Sequence, residues 1–190
     1  VKTYFSHHGP VVREANGKWI AVQLMNEPMK ALMQSYLRTK TRDYAGFAKV
    51  MDLRANSSNN TVYADKDGNI AYFHGDFVPR RNPQLDWTQP VDGSKRSADW
   101  QGLHEVKDII HLFNPKSGWI QNTNNWPFSA AGVGADGSSP RQQDYPRYMW
   151  TNGENARGQH AVKVLKNAKQ LNLDGLIKLA YDSELTAFET

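Results

Sequence analysis

Cysteine is missing from this chain of 190 residues. Its absence excludes a disulfide scaffold, a zinc site with cysteine ligands, an iron–sulfur cluster and catalysis by a thiol. It leaves the cellular compartment open. Long apolar runs are missing as well, because no window approaches the roughly 20 apolar residues that a membrane-spanning helix needs. The sequence therefore predicts no membrane span.

An excess of one charge is also missing. The chain carries 23 Lys and Arg against 19 Asp and Glu, a net charge of +4. The densest basic stretch, residues 38–42, holds three cations and is followed by Asp43. A phosphate-binding surface needs basic residues clustered on one face. We therefore expect no nucleic-acid partner.

Aromatic residues, by contrast, are plentiful. Only 39% of the chain is apolar, but 11% is aromatic, including six Trp, and disordered chains are poor in aromatics. The length suits one domain with a core of its own. Fourteen Gly, nine Pro and frequent Asn predict long, turn-rich connections between few regular elements.

Two β-hairpins are predicted from alternating residue patterns that flank Asn-Gly and Asp-Gly turns. They pair residues 2–13 with 19–24 and residues 61–65 with 70–74. The second turn carries Asp65, Asp67 and Asn69, which resemble a calcium loop. The EF-hand pattern requires a Gly and a Glu at positions where this sequence lacks them, so a plain turn is favoured.

Helical spacing of apolar residues predicts two helices near the start of the chain. The first follows an N-cap at Asn26 and is expected to bury Met29, Leu32, Met33, Tyr36 and Leu37. The second is expected to bury Tyr44, Phe47, Ala48 and Met51.

The rest of the chain alternates long loops with short elements. Loops are predicted over residues 75–102 and 122–152, a short strand over 119–121, and helices over roughly 154–170 and 174–188. Residues 103–113 are apolar but have no clear period. In the last helix we expect Leu176, Leu179, Ala180 and Leu185 to be buried.

The histidines do not predict a metal centre. His7 and His8 are adjacent, and on a strand they would face opposite ways and could not share an ion. The other four are isolated, and no H-E-x-x-H motif is present. A G-x-S-x-G motif for a serine nucleophile is absent too.

The least ordinary stretch is residues 121–127, which contain Asn122, Asn124 and Asn125. An asparagine amide can donate a hydrogen bond to a developing oxyanion without carrying charge. An Asn-rich turn, in which the amides cap their own backbone, explains the same residues. Residue chemistry alone leaves both interpretations open.

A set of motifs in one fixed order narrows the choice. The motifs are His8-Gly9-Pro10-Val11-Val12, residues 65–72, Pro79-Arg80-Arg81, residues 90–94, Trp100-Gln101-Gly102-Leu103, Asn114-Pro115 with Gly118-Trp119-Ile120, residues 122–125, and Glu154-Asn155-Ala156-Arg157. Over roughly residues 4–170, this order resembles the penicillin acylase family of N-terminal-nucleophile amidases, which includes the acyl-homoserine-lactone acylases.

The resemblance implies an α+β fold, part of an αββα sandwich of antiparallel strands with helices and long loops. It also implies a precursor that cleaves itself, after which a serine at the start of the second chain is the nucleophile and its α-amine the general base. Val1 is not Ser, Thr or Cys. Residues 1–190 are therefore expected to be a single partial domain from the centre of the catalytic β chain, without the nucleophile segment and inactive alone.

The resemblance also implies roles for individual residues. Asn124 corresponds to the side chain of the oxyanion hole, and Arg157 to an arginine that orients the site. A structural calcium ion would take a backbone carbonyl near Trp87 and the carboxylate of Asp144. The implied partners are an N-acyl amide substrate, such as a penicillin or an N-acyl-homoserine lactone, and the α chain and remaining β-chain segments. The implied location is periplasmic or secreted.

A stand-alone module that binds a carbohydrate or another ligand is the alternative. Such a module would use loop tryptophans, namely Trp87, Trp100, Trp126 and Trp150. Exposed indole rings on a loop platform would support this alternative, whereas buried rings would count against it.

Overall fold

The computed structural model describes residues 2–56, 59–134 and 138–188, and within them the chain mixes α-helices with antiparallel sheets. The strands are β1 (Phe5–Ser6), β2 (Gly9–Ala15), β3 (Lys18–Ala21), β4 (Thr61–Ala64), β5 (Ile70–Phe73) and β6 (His111–Phe113). The α-helices are α1 (Pro28–Arg38), α2 (Tyr44–Met51), α3 (Ala156–Asn167) and α4 (Leu173–Ala180). The strands form two antiparallel sheets of three strands each, in the orders β1-β2-β3 and β4-β5-β6. Helices together with antiparallel sheets confirm the α+β class.

Two compact units divide the described residues, and each is assembled from segments far apart in sequence. The first unit draws on Val1–Ser58, Gly75–Ile109 and Pro146–Tyr148, and the second on Asn59–His74, Ile110–Tyr145 and Met149–Thr190. The expectation that residues 1–190 form a single partial domain stays a prediction.

The sheet of the first unit contains the predicted hairpin with one difference. Strands β2 and β3 pair across Asn16-Gly17, and both residues have a positive φ, the conformation that this turn requires. The segment ahead of them is not one strand, because it reverses after Ser6 and β1 pairs back onto β2. His7 and His8 occupy this reversal, with ring centroids 3.8 Å apart. The prediction that they face opposite ways on a strand is therefore wrong.

Helix α1 begins at Pro28, where the missing N–H of proline costs nothing, and Glu27 rather than Asn26 is its N-cap. The predicted buried face is wrong, since Met29 is 76% exposed and Leu32, Met33 and Tyr36 are exposed as well. The buried residue of α1 is Gln34, which donates to Asp76 and accepts from the backbone N–H of Ala55 at 2.8 Å. The apolar spacing identifies one face of the helix, but the residue that is buried, Gln34, is polar and lies on another face.

Helix α2 follows its prediction at two of four positions, since Tyr44 and Ala48 are only half-buried. The side chain of Asp43 caps it by accepting from the N–H of Gly46 at 2.7 Å, and Phe47 and Met51 are buried. With Ala98, Val106 and Ile109 they supply the apolar core of the first unit.

The second unit is built on the second predicted hairpin. Strands β4 and β5 pair in the register Thr61↔Phe73, and Asp65 accepts from the N–H groups of Asp67 and Asn69. Gly68 takes a positive φ in this turn, which confirms a plain turn. The ambiguous segment 103–113 ends in β6, which covers the other edge of β5. Strand β5 is thereby central and buries Ala71, Tyr72 and Phe73.

Two predictions for the rest of this unit are wrong. Residues 119–121 form no strand, although the N–H of Gln121 does bond to the carbonyl of Ala130 at 2.8 Å. The expected buried face of α4 is exposed at Leu176 and Ala180, and Leu185 beyond the helix is 67% exposed. A periodic pattern shows which side of a helix is apolar, but not whether another segment covers that side.

None of the helices formed by the described residues is both long enough and apolar enough to cross a lipid bilayer.

Candidate functional site

Asn124 and Arg157 lie side by side in the second unit, although 33 positions separate them in the sequence. Arg157 is the second residue of α3. Its position is set by Asn155, the N-cap, whose Oδ1 accepts from the N–H of Gly158 at 2.9 Å. Asn124 lies in the loop after Gln121, in the left-handed region at φ 61°, which asparagine tolerates better than most residues.

The contact between the two side chains orients the amide of Asn124. Nη2 of Arg157 donates to Oδ1 of Asn124 at 3.4 Å, and both side chains are exposed. A guanidinium group can only donate, so the atom that faces it is the amide oxygen. The NH₂ group of Asn124 is then the donor left for another group. This is the orientation that stabilisation of an oxyanion requires.

The backbone on both sides of Asn124 is held by asparagine side chains. Oδ1 of Asn125 accepts from the N–H of Thr123 at 3.2 Å, and Nδ2 of Asn155 donates to the carbonyl of Thr123 at 3.3 Å. Nδ2 of Asn152 donates to the carbonyl of Asn124 itself at 3.3 Å. The exposed amide is therefore carried on a backbone that three hydrogen bonds hold, which limits its freedom before any ligand binds.

A carboxylate, Glu154, connects this loop to α3. Its Oε1 accepts from Nδ2 of Asn125 and from the N–H of Asn155, both at 2.9 Å. Its Oε2 accepts from Nε1 of Trp126 at 2.9 Å and from Oγ of Ser129 at 2.5 Å. Asn125 and Ser129 are fully buried, so their polar groups cannot bond to solvent, and the bonds to Glu154 satisfy them instead.

Sequence reasoning missed this supporting network. In the sequence, Glu154 stands out only as the first residue of a motif, and Asn125 only as one of three neighbouring asparagines. The available signal was the position of Glu154, one residue ahead of a helix N-cap, where a carboxylate is favoured by the unpaired N–H groups of the helix start.

The hydrogen bonds around Glu154 also shift its titration. Partial burial by itself would raise the pKa of Glu154, but donation from Ser129, Asn125, Asn155 and Trp126 outweighs burial and lowers the pKa. A carboxylate with a lowered folded-state pKa contributes stability above its unfolded-state pKa, and this contribution is lost as the pH falls through the folded value.

We therefore expect the Glu154→Gln variant to have a lower melting temperature at neutral pH, and the gap to the unsubstituted chain to narrow only as the pH falls below the ordinary glutamate pKa of about 4.3 and through the lowered folded-state pKa of Glu154. Thermal denaturation from pH 7 to pH 3 would measure the difference. A gap of the same size at every pH would show that the charge of Glu154 makes no contribution. Glu105→Gln is a suitable control, because Glu105 belongs to the other unit and its exposed side chain pairs with the exposed Lys107 at 2.9 Å, so its substitution should change the melting temperature much less.

Gly158 is buried against the same network. A Cβ at this position would run into Nδ2 of Asn125 and Oε1 of Glu154. The third residue of α3 must therefore be glycine for the loop to approach the helix this closely.

The two residues expected to hold calcium belong to different units, Trp87 to the first and Asp144 to the second. Both carboxylate oxygens of Asp144 contact Arg141, at 2.8 and 3.0 Å. The indole of Trp87 donates to the carbonyl of Asn82 at 2.7 Å, and Arg81 lies over its ring at 5.1 Å. Calcium prefers six to eight oxygen ligands, and in the described ranges Asp144 belongs to neither group of metal-ligating side chains. Calcium binding stays a prediction of the resemblance.

The tryptophans of the alternative interpretation do not form an exposed platform. Trp126 and Trp150 pack edge-on against Phe128, with ring centroids 5.7 and 5.3 Å away. Trp87 and Trp100 both contact the guanidinium of Arg81. All four indoles are half-buried, so a stand-alone module that binds through them is disfavoured.

Comparisons with known proteins agree with the fold and the motifs. The family model described as penicillin amidase matches residues 1–190. Penicillin G acylase from Escherichia coli is 37% identical over 87 residues, which are 46% of this chain and 8% of that protein. A thermostable penicillin G acylase from Alcaligenes faecalis superposes with a TM-score of 0.71 at 23% identity, over 93% of this chain and 30% of that one. The chain thus spans a small part of the length of these relatives, and the structural match confirms the implied fold class.

Proposed function

The chain belongs to the penicillin amidase family, and from this premise we propose that it is part of an amidohydrolase that cleaves the amide bond of N-acyl substrates. The observation that carries the proposal is the contact of Arg157 with the amide oxygen of Asn124, which leaves the NH₂ group as an exposed, uncharged donor. We propose that Asn124 donates to the oxyanion of the reaction and that Arg157 is a positioning residue that acts through Asn124.

The proposed reaction has two covalent steps. A serine hydroxyl from a segment outside these 190 residues attacks the substrate carbonyl carbon and gives its proton to the α-amine of the same serine. The carbonyl oxygen becomes an oxyanion, to which Nδ2 of Asn124 donates. The tetrahedral intermediate collapses, the C–N bond breaks, and the leaving amine takes up the proton. Water then attacks the carbonyl carbon of the acyl ester and gives a proton to the α-amine, and the same donor stabilises the second oxyanion. The ester C–O bond breaks, the serine oxygen takes the proton back from the α-amine, and the acid is released.

An amide is well suited to this role. The hydrogen bond that the amide donates becomes stronger as negative charge develops on the carbonyl oxygen. Because the amide carries no charge, it attracts anions from solution less than a cationic side chain would, and it does not change its protonation state. Arg157 is close enough to hold the amide, while its charge is directed at Oδ1 and not at the donor end.

The partners are proposed on the same basis. We propose that the catalytic serine and the acyl pocket are supplied by other segments of one precursor, because the chain covers 30% of the related solved chain. The proposed substrates are penicillin-like amides, N-acyl-homoserine lactones and related N-acyl amides. A periplasmic or secreted location is proposed from family membership alone.

The test is hydrolysis by the longest natural polypeptide that contains this chain. Release of amine from a penicillin, an N-acyl-homoserine lactone and a simple aryl amide should be measured in parallel. We expect turnover of at least one class by the longer polypeptide and none by residues 1–190 alone. A folded longer polypeptide that releases amine from none of the three classes would refute amide hydrolysis. Turnover by residues 1–190 alone would refute the proposed division of the active site.

A further inference from the structure

The reversal between β1 and β2 brings two histidines onto an aspartate from a distant loop. One ring nitrogen of His7, one of His8 and one carboxylate oxygen of Asp99 all lie within 4.8 Å of one another. We propose that these three side chains bind a divalent transition-metal ion of the zinc type. The proposal does not rest on amide hydrolysis, because all three residues belong to the first unit and Asn124 and Arg157 to the second.

The turn explains how neighbouring histidines can serve one ion. Oγ of Ser6 accepts from the N–H of His8 at 3.2 Å and lies 3.3 Å from the carbonyl of Gly9, to which it donates. Gly9 has a φ of 132°, which few other residues adopt. Because the chain turns here, the side chains of His7 and His8 do not alternate between two faces as they would on a strand. The centroids of the two imidazole rings are 3.8 Å apart.

His8 is already held as a metal ligand usually is. Its Nε2 lies 2.8 Å from the carbonyl of Gly93, and a carbonyl only accepts, so Nε2 carries the proton and Nδ1 has the free lone pair. Metal-ligating histidines almost always donate their second ring N–H to such a group. Gly93 makes the contact possible, because a Cβ there would lie 2.9 Å from Nε2.

The spacing of His7 and Asp99 also fits an ion between them. Nε2 of His7 lies 3.4 Å from Oδ1 of Asp99. Two ligands of a tetrahedral zinc ion at about 2.0–2.1 Å are about 3.3 Å apart. Among the described residues, no Lys or Arg side chain forms an ion pair with Asp99, so its negative charge is available.

The donor set selects the class of metal. Two imidazoles and one carboxylate suit zinc and similar transition metals, whereas calcium and magnesium prefer oxygen ligands throughout. Three protein ligands leave a fourth position for water. The side chain of His7 is 68% exposed, so an ion can enter from solvent.

A second cluster of similar composition supplies the control. His160 uses Nδ1 on Thr186 at 2.9 Å and Nε2 on Asp182 at 3.2 Å, and Glu184 pairs with Lys163 at 2.5 Å. Both ring nitrogens are engaged and one carboxylate is already neutralised. We expect no zinc affinity from these residues.

The test is calorimetric titration with ZnCl₂ of the longest natural polypeptide that contains this chain, after a chelator has removed bound metal. We expect one equivalent to bind, and His7→Gln and Asp99→Asn each to weaken binding by at least about 10–100-fold, while His160→Gln leaves it unchanged. Melting curves without metal would show that each variant is folded. Bound Co²⁺ in the unsubstituted protein should show the intense visible absorption of four-coordinate cobalt, a readout that needs no variant.

Each result decides for or against the site. Absence of saturable binding by the unsubstituted protein would overturn the proposal, and so would equal losses in His7→Gln and His160→Gln. A six-coordinate cobalt spectrum would overturn the assignment of three protein ligands with one water. If Zn²⁺ raises the melting temperature of the unsubstituted protein but not of His7→Gln, the ion contributes to stability through this cluster.

Discussion

Asn124→Ala is expected to lower kcat for amide hydrolysis by about 10²–10³ in the active, longer polypeptide, with a small effect on KM. The substitution removes a donor that acts on the oxyanion, and the ground-state carbonyl, which carries less charge, depends on it less. Both constants would be measured from the initial rate of amine release at several concentrations of the best of the three test substrates. The side chain of Asn124 is exposed, so no packing is lost, but alanine at a φ of 61° should lower stability by about 1–2 kcal/mol, which leaves the variant folded.

Asn167→Ala is the control, because Asn167 is also an exposed asparagine and, within the part of the chain that the structure describes, its side chain bonds only to the carbonyl of Lys163 in its own helix. It should leave kcat unchanged. A near-normal kcat for Asn124→Ala, with a reaction rate limited by chemistry, would remove Asn124 from the oxyanion hole.

Arg157→Leu separates a positioning residue from an independent one. The loss of one hydrogen bond that orients Asn124 should lower kcat roughly 3–10-fold. If Arg157 acts through Asn124, its substitution should have almost no further effect in the Asn124→Ala background. Full additivity of the two losses would show that Arg157 contacts the substrate or another group instead.

Gly158→Ala is the second change with a large expected effect, this time on stability. An added Cβ would collide with Nδ2 of Asn125 and Oε1 of Glu154, both in the network beneath Asn124. Overpacking of this kind costs about 1–3 kcal/mol, which exceeds the roughly 0.5–1 kcal/mol that alanine gains over glycine inside a helix. We expect a net loss of stability in chemical denaturation, together with a lower kcat because the displaced loop carries Asn124.

Gly175→Ala is a close control for Gly158→Ala. Gly175 is likewise the third residue of a helix, and its N–H bonds to the asparagine N-cap, Asn172, at 2.8 Å. A Cβ at Gly175 would meet Oδ1 of Asn172 at 3.2 Å, a tight contact that a small shift relieves. This variant should be close to neutral in stability and in kcat. Equal effects of the two substitutions would mean that the contact with Asn125 and Glu154 is not what requires glycine at position 158.

The variants at Asn124 and Arg157 test the donor itself, and the variant at Gly158 tests the packing that supports the donor. Asn124 is exposed and its chemistry depends on the direction of one amide, whereas Gly158, Asn125 and Glu154 determine where that amide is carried. In Asn124→Ala we expect a large loss of kcat with a loss of stability no larger than alanine at a positive φ costs. In Gly158→Ala we expect kcat and stability to fall together, and this contrast would distinguish the reacting group from its support.

Features that depend on neighbouring residues could be predicted from the sequence. Asn16-Gly17 accepts a positive φ and so specifies a hairpin turn, and Asp43 satisfies the N–H of Gly46 three residues on. The ordered motifs likewise predicted the family and its α+β fold, since they combine many weak local preferences into one specific pattern.

Features that depend on distant residues could not be predicted in this way. The apolar spacing of α1 does not reveal that Gln34 is the buried residue, because burial depends on Asp76 and Ala55. Adjacent histidines face apart only on a strand, and the turn after Ser6 places His7 and His8 against Asp99.

The candidate site shows the same division. Motif order alone points to Asn124 and Arg157, which are far apart in sequence, and their types already limit the chemistry to neutral and cationic donors. The folded chain adds the direction of the Asn124 amide, the four donors on Glu154 and the lack of space at Gly158. These follow from atoms that meet only after the loop packs on α3, because hydrogen-bond direction and steric exclusion act over a few ångströms in space, whatever the separation along the chain.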